Sequence, residues 1–350
     1  MAKIRVLVVD DSALIRRVVA EELGADPAID VVGTASGGKA ALAKLPQLTP
    51  DLVTLDVVMP DMDGLAVLAE IRKVYPKLPV VMFSVLTERG AAATLDALAL
   101  GATDYFTKPG GAGGLDESRR VIREELAPAI RAICAPKAGA PAPGRGAVKR
   151  MTRRAAGEAD VVAIGVSTGG PNALVDIFRH LPADLAAPVL IVQHMPPMFT
   201  RLLADRLTSI GPIPVHEAIT GTILQPGQAW IAPGDFHLVV ERKGATVRTV
   251  VNQDPPECSC RPAADPLFRS VAAAYGARAL GVVLTGMGQD GLRGCEAVRA
   301  AGGHVLAQDE ATSVVWGMPG SVVRADLADR VLPLPLMAAE IVRRVSRKVG

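Results

Sequence analysis

The segment Val161–Pro171, which reads VVAIGVSTGGP, decides the fold of the C-terminal half of the chain. Its first residues form a continuous apolar run, which is typical of a buried strand in a parallel sheet. The glycines that follow predict a sharp turn, and Pro171 suits the first turn of a helix. The segment therefore predicts a β-strand that leads through a tight turn into an α-helix.

The same strand-then-helix pattern recurs on the C-terminal side of this segment. One pair of strands, joined through Lys243 and Gly244, is instead typical of a β-hairpin. We predict a doubly wound, mostly parallel α/β domain that contains this hairpin. The predicted strands are Val161–Gly165, Pro188–Gln193, Ala229–Ala232, Phe236–Val240, Thr246–Val251, Ala279–Thr285 and His304–Ala307, and the predicted helices are Pro171–His180, Phe199–Ser209, Asp265–Tyr275, Gly291–Ala301 and Leu336–Ser346.

The N-terminal part contains five βα units of its own, which predict a second parallel sheet with the strand order 2-1-3-4-5. A stretch rich in alanine, proline, glycine and basic residues follows, and it shows neither a strand nor a helix period. We therefore expect a first domain at residues 1–126, a flexible basic linker at 127–158 and a second domain at 159–350. The predicted strands of the first domain are Ile4–Val9, Asp30–Ala35, Asp51–Asp56, Pro79–Ser84 and Ala102–Phe106.

Composition excludes several classes of protein. The chain has 350 residues, a formal net charge of +2 and 49% hydrophobic residues, as expected for two domains that each bury a core. Only 3% of the residues are aromatic, which disfavours a nucleic-acid stacking surface. No apolar run reaches the ~18–20 residues of a membrane span. Four cysteines do not make a disulfide framework. We expect a cytoplasmic protein with no nucleic-acid partner and no membrane insertion.

Polar side chains follow four of the five strands of the first domain. Asp10 and Asp11 follow strand 1, Asp56 ends strand 3, Ser84 ends strand 4 and Lys108 follows strand 5. In a sheet of this order, ligands bind outside the carboxyl ends of strands 1 and 3, so these groups should converge on one crevice. Clustered carboxylates need positive charge among them, which Mg²⁺ and the lysine can provide. The set predicts phosphoryl transfer to a carboxylate.

In the second domain, Gly165–Gly169 matches the G-x-S-x-G nucleophile elbow, with Ser167 at the turn between strand and helix. The N–H of Thr168 would then point at an oxyanion. The same pattern also fits a glycine turn that holds a phosphate at a helix N-terminus. The motif alone leaves these two interpretations open.

A serine nucleophile needs a base and an orienting acid. Of the five histidines, His194 alone ends an apolar strand at the edge where Ser167 lies. Asp290 lies in a glycine-rich loop that reaches the same edge after strand Ala279–Thr285, whereas the alternatives Asp235, Asp254 and Asp309 do not follow a long apolar strand so directly. The chain order Ser…His…Asp differs from that of the α/β-hydrolases, so the motif does not imply their fold.

Residues 3–126 closely resemble the receiver domain of bacterial response regulators, which has a flavodoxin-like (βα)5 fold. The motifs that carry this resemblance are Val8–Ser12, Asp56–Gly64 and Phe106–Pro109. The resemblance implies that Asp56 accepts a phosphoryl group from a chemotaxis histidine kinase. It also implies that Ser84, Lys108 and Tyr105 support this step, and that Mg²⁺ is held by Asp10, Asp11, Asp56 and the carbonyl of Val58.

Residues 160–345 resemble the catalytic domain of the chemotaxis protein-glutamate methylesterase/protein-glutamine glutaminase (CheB) family. The motifs are Ile164–Pro171, Gln193–Met195, Ala232–Gly234, Leu284–Gly291 and Trp316–Gly320. The resemblance implies a catalytic triad of Ser167, His194 and Asp290, with Thr168 and Met287 around the oxyanion. It also implies methyl-accepting chemotaxis receptors as substrates, no cofactor for the esterase step, and inhibition by the unphosphorylated receiver domain.

One stretch departs from the family pattern. Within Cys258–Asp265, Cys260 stands where the family usually has histidine and Ala263 where it has serine. Neither belongs to the triad, so we expect an effect on substrate fit rather than on the chemistry. A single cysteine pair does not predict a zinc site.

Two other functions remain as alternatives. A response regulator whose second domain only binds a partner would need Ser167 and His194 to lie apart. A DNA-binding regulator would need a basic recognition helix or a helix-turn-helix signature, and the sequence has neither.

Overall fold

The computed structural model describes residues 2–85, 87–108, 114–135 and 159–345. The chain divides into two compact units, one of residues 1–136 and the other of residues 137–350. Among the described residues, no helix combines the length and the apolar character needed to cross a lipid bilayer.

The N-terminal unit is a five-stranded parallel sheet with the order β2-β1-β3-β4-β5, which confirms the predicted fold. Its three central strands are mostly apolar because both faces of a parallel sheet are covered. Short polar residues begin the helices, as where the side chain of Asp63 accepts the N–H of Ala66. The elements are β1 (Ile4–Val9), α1 (Ala13–Gly24), β2 (Ile29–Ala35), α2 (Gly38–Leu48), β3 (Leu52–Leu55), α3 (Gly64–Val74), β4 (Val80–Val85), α4 (Glu88–Ala99), β5 (Asp104–Lys108) and α5 (Gly114–Val121).

This unit extends beyond the predicted boundary at residue 126. After α5, a π-helical turn (Ile122–Leu126) leads into α6 (Ala127–Cys134), in a stretch that we predicted to be linker. The prediction was wrong for these residues because Leu126, Ile130 and Ile133 recur at helical spacing and are buried. The remainder of the predicted linker, residues 136–158, lies outside the described residues.

The C-terminal unit contains a seven-stranded parallel sheet with the order β14-β13-β12-β6-β7-β9-β8. The predicted antiparallel hairpin β10-β11 is present, and the structure places it outside this sheet. Its elements are β6 (Val161–Val166), α7 (Gly170–His180), β7 (Val189–Gln193), α8 (Phe199–Ile210), β8 (Val215–Glu217), β9 (Ala229–Ile231), β10 (His237–Lys243), β11 (Thr246–Asn252), α9 (Ala264–Tyr275), β12 (Ala279–Val283), α10 (Leu292–Ala300), β13 (His304–Gln308), α11 (Met318–Arg324), β14 (Arg330–Leu332) and α12 (Leu334–Val345).

Three of these elements were not predicted: β8, β14 and α11. Both strands have only three residues, too few to show a period. Neither lies inside the sheet, because β14 and β8 are its two edge strands.

Strands β12, β6 and β7 form the buried centre of the sheet. From β6, the chain adds strands first on the β7 side and then, from β12, on the opposite side. The crevice for a ligand therefore lies beyond the carboxyl ends of these strands. Ser167 and His194 follow β6 and β7 directly, and the loop that carries Asp290 follows β12.

Candidate active site and phosphorylation site

The N-terminal unit has a buried cluster of charge at the carboxyl end of its sheet. The ammonium nitrogen Nζ of Lys108 lies 2.6 Å from a carboxylate oxygen of Asp10 and 2.6 Å from one of Asp56. Oxygen atoms of Asp10, Asp11 and Asp56 all lie within 4.8 Å of one another. The crevice expected from the sequence is therefore formed, and one lysine bridges two of its carboxylates.

Burial controls the electrostatics of Asp56. Burial raises the pKa of Asp56, and the nearby Asp10 adds to this effect, whereas Lys108 and the backbone N–H of Val58 act in the opposite direction. The net shift is upward, so the carboxylate gains from any further positive charge placed beside it. A divalent cation held by oxygen ligands is such a charge.

The hydroxyl of Ser84 is buried and has no hydrogen-bond partner among the residues that the structure describes. A buried polar atom without a partner costs free energy, so an acceptor that arrives nearby, such as a phosphoryl oxygen, is favoured. Tyr105 lies on the neighbouring strand β5 and is partly buried, and burial raises the pKa of its hydroxyl. The three carboxylates, Lys108 and this free hydroxyl fit Mg²⁺ and a phosphoryl group.

In the C-terminal unit, the turn that carries Ser167 requires glycine. Gly169 adopts a positive φ of 75°, and a Cβ atom there would lie 2.5 Å from a methyl carbon of Val314. The N–H of Ser167 donates to the carbonyl of Thr285 at 3.0 Å, and a Cβ on Gly286 would lie 2.8 Å from Cβ of Ser167. Glycine thus allows the turn after β6 and the loop after β12 to approach closely.

His194 occupies the matching position on the neighbouring strand. Val166 pairs with Gln193 in the register of β6 and β7, so Ser167 and His194 are the next residues along two strands about 4.8 Å apart. The side-chain amide of Gln193 donates to the carbonyls of Ser167 and His194, at 3.1 Å each. We did not predict this role for Gln193, although a polar residue at the end of an apolar strand, beside the base, was the available signal.

The imidazole of His194 has two hydrogen-bond partners. Its Nε2 lies 2.7 Å from Oδ2 of Asp290, and its Nδ1 lies 3.5 Å from Sγ of Cys260. Because the carboxylate requires a donor, Nε2 carries the proton in the neutral ring and Nδ1 is the basic nitrogen. No hydrogen bond joins this ring to Ser167 within the described part of the chain.

Asp290 is fixed by four donors. Its Oδ2 accepts from His194 and from the N–H of Ala264 at 2.6 Å, and its Oδ1 accepts from the N–H groups of Asp265 at 3.0 Å and Gly291 at 2.9 Å. Ala264 and Asp265 begin α9, and Ala263 at the N-cap provides no side-chain bond. The carboxylate therefore satisfies the first N–H groups of this helix and gains from its dipole.

The His194–Asp290 pair shifts both pKa values. For His194, burial lowers the pKa, but hydrogen bonds and negative charge from Asp290 and Cys260 raise it, and the net shift is upward. For Asp290, burial raises the pKa, but the bond from His194 and the backbone N–H groups lower it, and the net shift is downward. The arrangement stabilises an imidazolium next to a carboxylate, as general-base catalysis requires.

The two predicted oxyanion donors, Thr168 and Met287, lie in the turn after β6 and in the loop after β12. Thr168 is buried, and Met287 lies in the exposed part of the loop after β12. Neither backbone N–H forms a hydrogen bond with another described residue. Both donors are therefore available for an oxyanion.

The other candidate bases and acids have different partners. His237 accepts the N–H of Ala263 at 3.2 Å, and His304 lies 3.3 Å from Asp329 at the opposite end of its strand. Asp235 pairs with Arg261, and Asp309 accepts the N–H of Thr312. Apart from Asp290, none of the acids that the sequence offered hydrogen-bonds to His194 in the described structure.

A cavity of about 580 Å³ lies beside Asp290 and is lined by Pro256, Glu257, Cys258, Asp265, Arg269, Gln289, Leu292 and Arg293. Ligand atoms of Cys258, Asp265 and Asp290 lie within 4.8 Å of one another there. Each carboxylate oxygen of Asp290 already accepts two hydrogen bonds. Two arginines, Arg269 and Arg293, line the same cavity. This grouping therefore offers little to a cation.

Comparison with known proteins decides the family. A model of the CheB methylesterase family matches residues 162–341, and a model of the response regulator receiver domain matches residues 6–118. Over 351 aligned residues, the chain is 52% identical to a protein-glutamate methylesterase/protein-glutamine glutaminase of Trichodesmium erythraeum, covering 99% of this chain and 100% of the relative. This chain belongs to the CheB methylesterase family.

Other CheB relatives agree. A protein-glutamate methylesterase/protein-glutamine glutaminase of Nocardioides is 50% identical, covering 99% of this chain and 97% of the relative. The crystal structure of the CheB methylesterase catalytic domain of Thermotoga maritima is 41% identical, with a TM-score of 0.52, and covers 53% of this chain and 97% of that domain. The resemblance of both halves to receiver and CheB domains is thereby confirmed.

Proposed function

We propose that this CheB-family protein is a phosphorylation-activated serine hydrolase that acts on chemotaxis receptors in the cytoplasm. It hydrolyses glutamate methyl esters and deamidates specific receptor glutamines, the two activities for which its relatives are named. In the organism, these reactions give sensory adaptation. The main support is the His194–Asp290 hydrogen bond of 2.7 Å, with Ser167 at the matching position of the adjacent strand.

In the proposed reaction, the hydroxyl of Ser167 attacks the side-chain carbonyl of the methylated glutamate. Nδ1 of His194 accepts the serine proton and then returns it to the leaving methoxide, so that methanol is released. Asp290 holds Nε2–H and stabilises the imidazolium. The N–H groups of Thr168 and Met287 stabilise the oxyanion, and water then hydrolyses the acyl-enzyme.

A glutamine substrate follows the same route, because only its leaving group differs. His194 then protonates the leaving nitrogen, and ammonia is released in place of methanol. The chemistry of the ester and amide steps requires no cofactor. The binding-module alternative is disfavoured, because adjacent strands bring Ser167 and His194 to neighbouring positions.

In the receiver domain, the carboxylate of Asp56 attacks the phosphoryl group of a chemotaxis histidine kinase. Mg²⁺ held by Asp10, Asp11, Asp56 and the carbonyl of Val58 would neutralise charge on that group. Lys108 supplies a fixed positive charge at the same carboxylates. The free hydroxyl of Ser84 donates to a phosphoryl oxygen, and Tyr105 responds to the movement of Ser84.

The test is release of methanol from methylated receptor membranes, with and without acetyl phosphate and Mg²⁺. We expect Ser167→Ala to abolish release, whereas the exposed Ser209→Ala, on α8, serves as the matched control. Removal of a triad member leaves only about 10³–10⁴-fold of catalysis over water. Near-normal release by a folded Ser167→Ala protein would refute the assignment of the nucleophile.

A further inference from the structure

The thiol of Cys260 has an unusual position for a cysteine that the proposed reaction does not use. Its Sγ lies 3.5 Å from Nδ1 of His194, the ring nitrogen that does not face Asp290. Sulfur, imidazole and carboxylate thus form a continuous Cys–His–Asp series. A thiol beside the basic nitrogen of an imidazole can transfer its proton and leave a nucleophilic thiolate.

A tight turn holds this thiol in place. The N–H of Cys260 donates to the carbonyl of Glu257 at 2.8 Å, and the N–H of Glu257 donates to the carbonyl of Cys260 at 3.1 Å. The two central residues, Cys258 and Ser259, have positive φ angles of 50° and 62°. Such angles favour glycine, so surrounding contacts must hold two non-glycine residues in this conformation.

The same segment also anchors the acid of the pair. Glu257 forms an ion pair with Arg269 of α9 at 2.5 Å, and the first N–H groups of α9 bind Asp290. The thiol and the carboxylate are therefore positioned by one continuous piece of chain on either side of the imidazole. Cys260 is only partly buried, so a small reagent can reach it.

We propose that Cys260 is a second nucleophile in the esterase domain and a site of reversible modification by low-molecular-mass disulfides. The thiol proton moves to Nδ1 of His194, and the thiolate attacks one sulfur of the disulfide. A new S–S bond forms, the old one breaks, and the leaving thiolate takes the proton from His194. No external oxidant is needed, because the disulfide is reduced as Cys260 is oxidised.

This modification stops the esterase reaction, a consequence that rests on the proposed function. Ser167 and Cys260 both need Nδ1, because Asp290 occupies Nε2. A group attached to Cys260 fills the space beside Nδ1 and keeps the serine hydroxyl from it. A reducing thiol removes the group and restores the base.

The test is the rate at which the full-length protein reacts with 4,4′-dithiodipyridine, followed by the absorbance of released thiopyridone. Variants Cys258→Ala and Cys260→Ser assign the signal to one of the two neighbouring thiols. At pH 6, we expect Cys260 to react at least about 10-fold faster than Cys258, because an ordinary thiol is almost fully protonated there. His194→Ala should slow Cys260 at least about 10-fold and leave Cys258 unchanged.

The pH dependence of the wild-type reaction gives a test that needs no folded variant of His194. An ordinary thiol loses reactivity about tenfold for each pH unit below 8, so a thiol that transfers its proton to His194 should react faster than Cys258 throughout the range from pH 6 to 8. The other ionisable groups of this neighbourhood include His194, Glu257, Cys258, Asp265, Arg269, Asp290 and Arg293. A rate for Cys260 that equals that of Cys258 across this range would overturn the proposal, as would one that is unchanged by His194→Ala.

Methanol release separates this proposal from the proposed function. Activity of the wild type should fall in proportion to the modification of Cys260 and return with dithiothreitol. The activity of Cys260→Ser should be the same before and after treatment with the disulfide. Ser167→Ala should react with the disulfide as fast as the wild type. Fast labelling without any esterase activity would refute the proposed function alone, and full activity of the labelled protein would refute the inhibitory role.

Discussion

Asp290→Asn tests the catalytic pair most directly, because this carboxylate accepts four hydrogen bonds and an amide can accept only at its oxygen. With the amide oxygen at the position of Oδ2, the amide nitrogen faces the N–H groups of Asp265 and Gly291. With the amide reversed, its nitrogen faces Nε2 of His194, which must then accept, so the proton moves to Nδ1. The first orientation leaves the N–H groups of Asp265 and Gly291 unpaired, and the second gives the wrong tautomer and leaves the N–H of Ala264 unpaired.

The expected effects are large and measurable separately. Leaving a buried N–H donor without its acceptor costs about 1–3 kcal/mol of the free energy of unfolding. The wrong tautomer lowers kcat about 10⁴-fold, or about 5 kcal/mol of transition-state stabilisation. Urea denaturation followed by tryptophan fluorescence measures the first effect, because Trp230 and Trp316, the only two tryptophans, both lie in the C-terminal unit. Methanol release measures the second.

Asp265→Asn is the matched control, because the buried side chain of Asp265 accepts one backbone N–H, from Gly294 at 2.7 Å, which an amide oxygen can also accept. We expect this variant to keep kcat within a few-fold of the wild type. If Asp290→Asn is as active as this control and as stable as the wild type, then Asp290 neither orients His194 nor anchors α9, and the proposed triad is wrong.

Three further predictions concern pH, positioning and phosphorylation. Burial raises the pKa of Asp265 to about 6, so its contribution to stability is lost as pH rises from about 4 through 6. The stability of Asp265→Asn relative to the wild type should therefore rise by up to about 2 kcal/mol between pH 4.5 and 7.5 in urea denaturation. Gln193→Ala removes the bonds that join the Ser167 and His194 carbonyls, and it should lower kcat about 10–100-fold with little change in KM. Asp56→Asn should abolish labelling by radioactive acetyl phosphate and keep basal methanol release; a phosphate that persists on this variant would place the site elsewhere.

Sequence alone predicted the elements and the chemistry of this protein because both depend on local patterns. Continuous apolar runs predicted the central parallel strands, and the polarity of those strands places Asp10, Asp56, Ser167 and His194 at carboxyl ends. The strand order of the N-terminal sheet was predicted from the doubly wound fold that the five βα units indicate, and it is confirmed. Short edge strands were missed, since three residues show no period.

The sequence proposed Asp290 as the partner of His194, and the tertiary structure decided the remaining contacts of the proposed site and their geometry. His194 meets Asp290 across 96 positions of sequence and Cys260 across 66, and no local pattern encodes such distances. The sequence marked Cys260 only as a departure from the family, and it marked Gln193 only as a polar residue at the end of an apolar strand, without showing which two carbonyls it joins. These contacts depend on how separate elements pack. The register of neighbouring strands and the start of α9 bring together donors and acceptors that are remote along the chain, so that they lie within hydrogen-bonding distance.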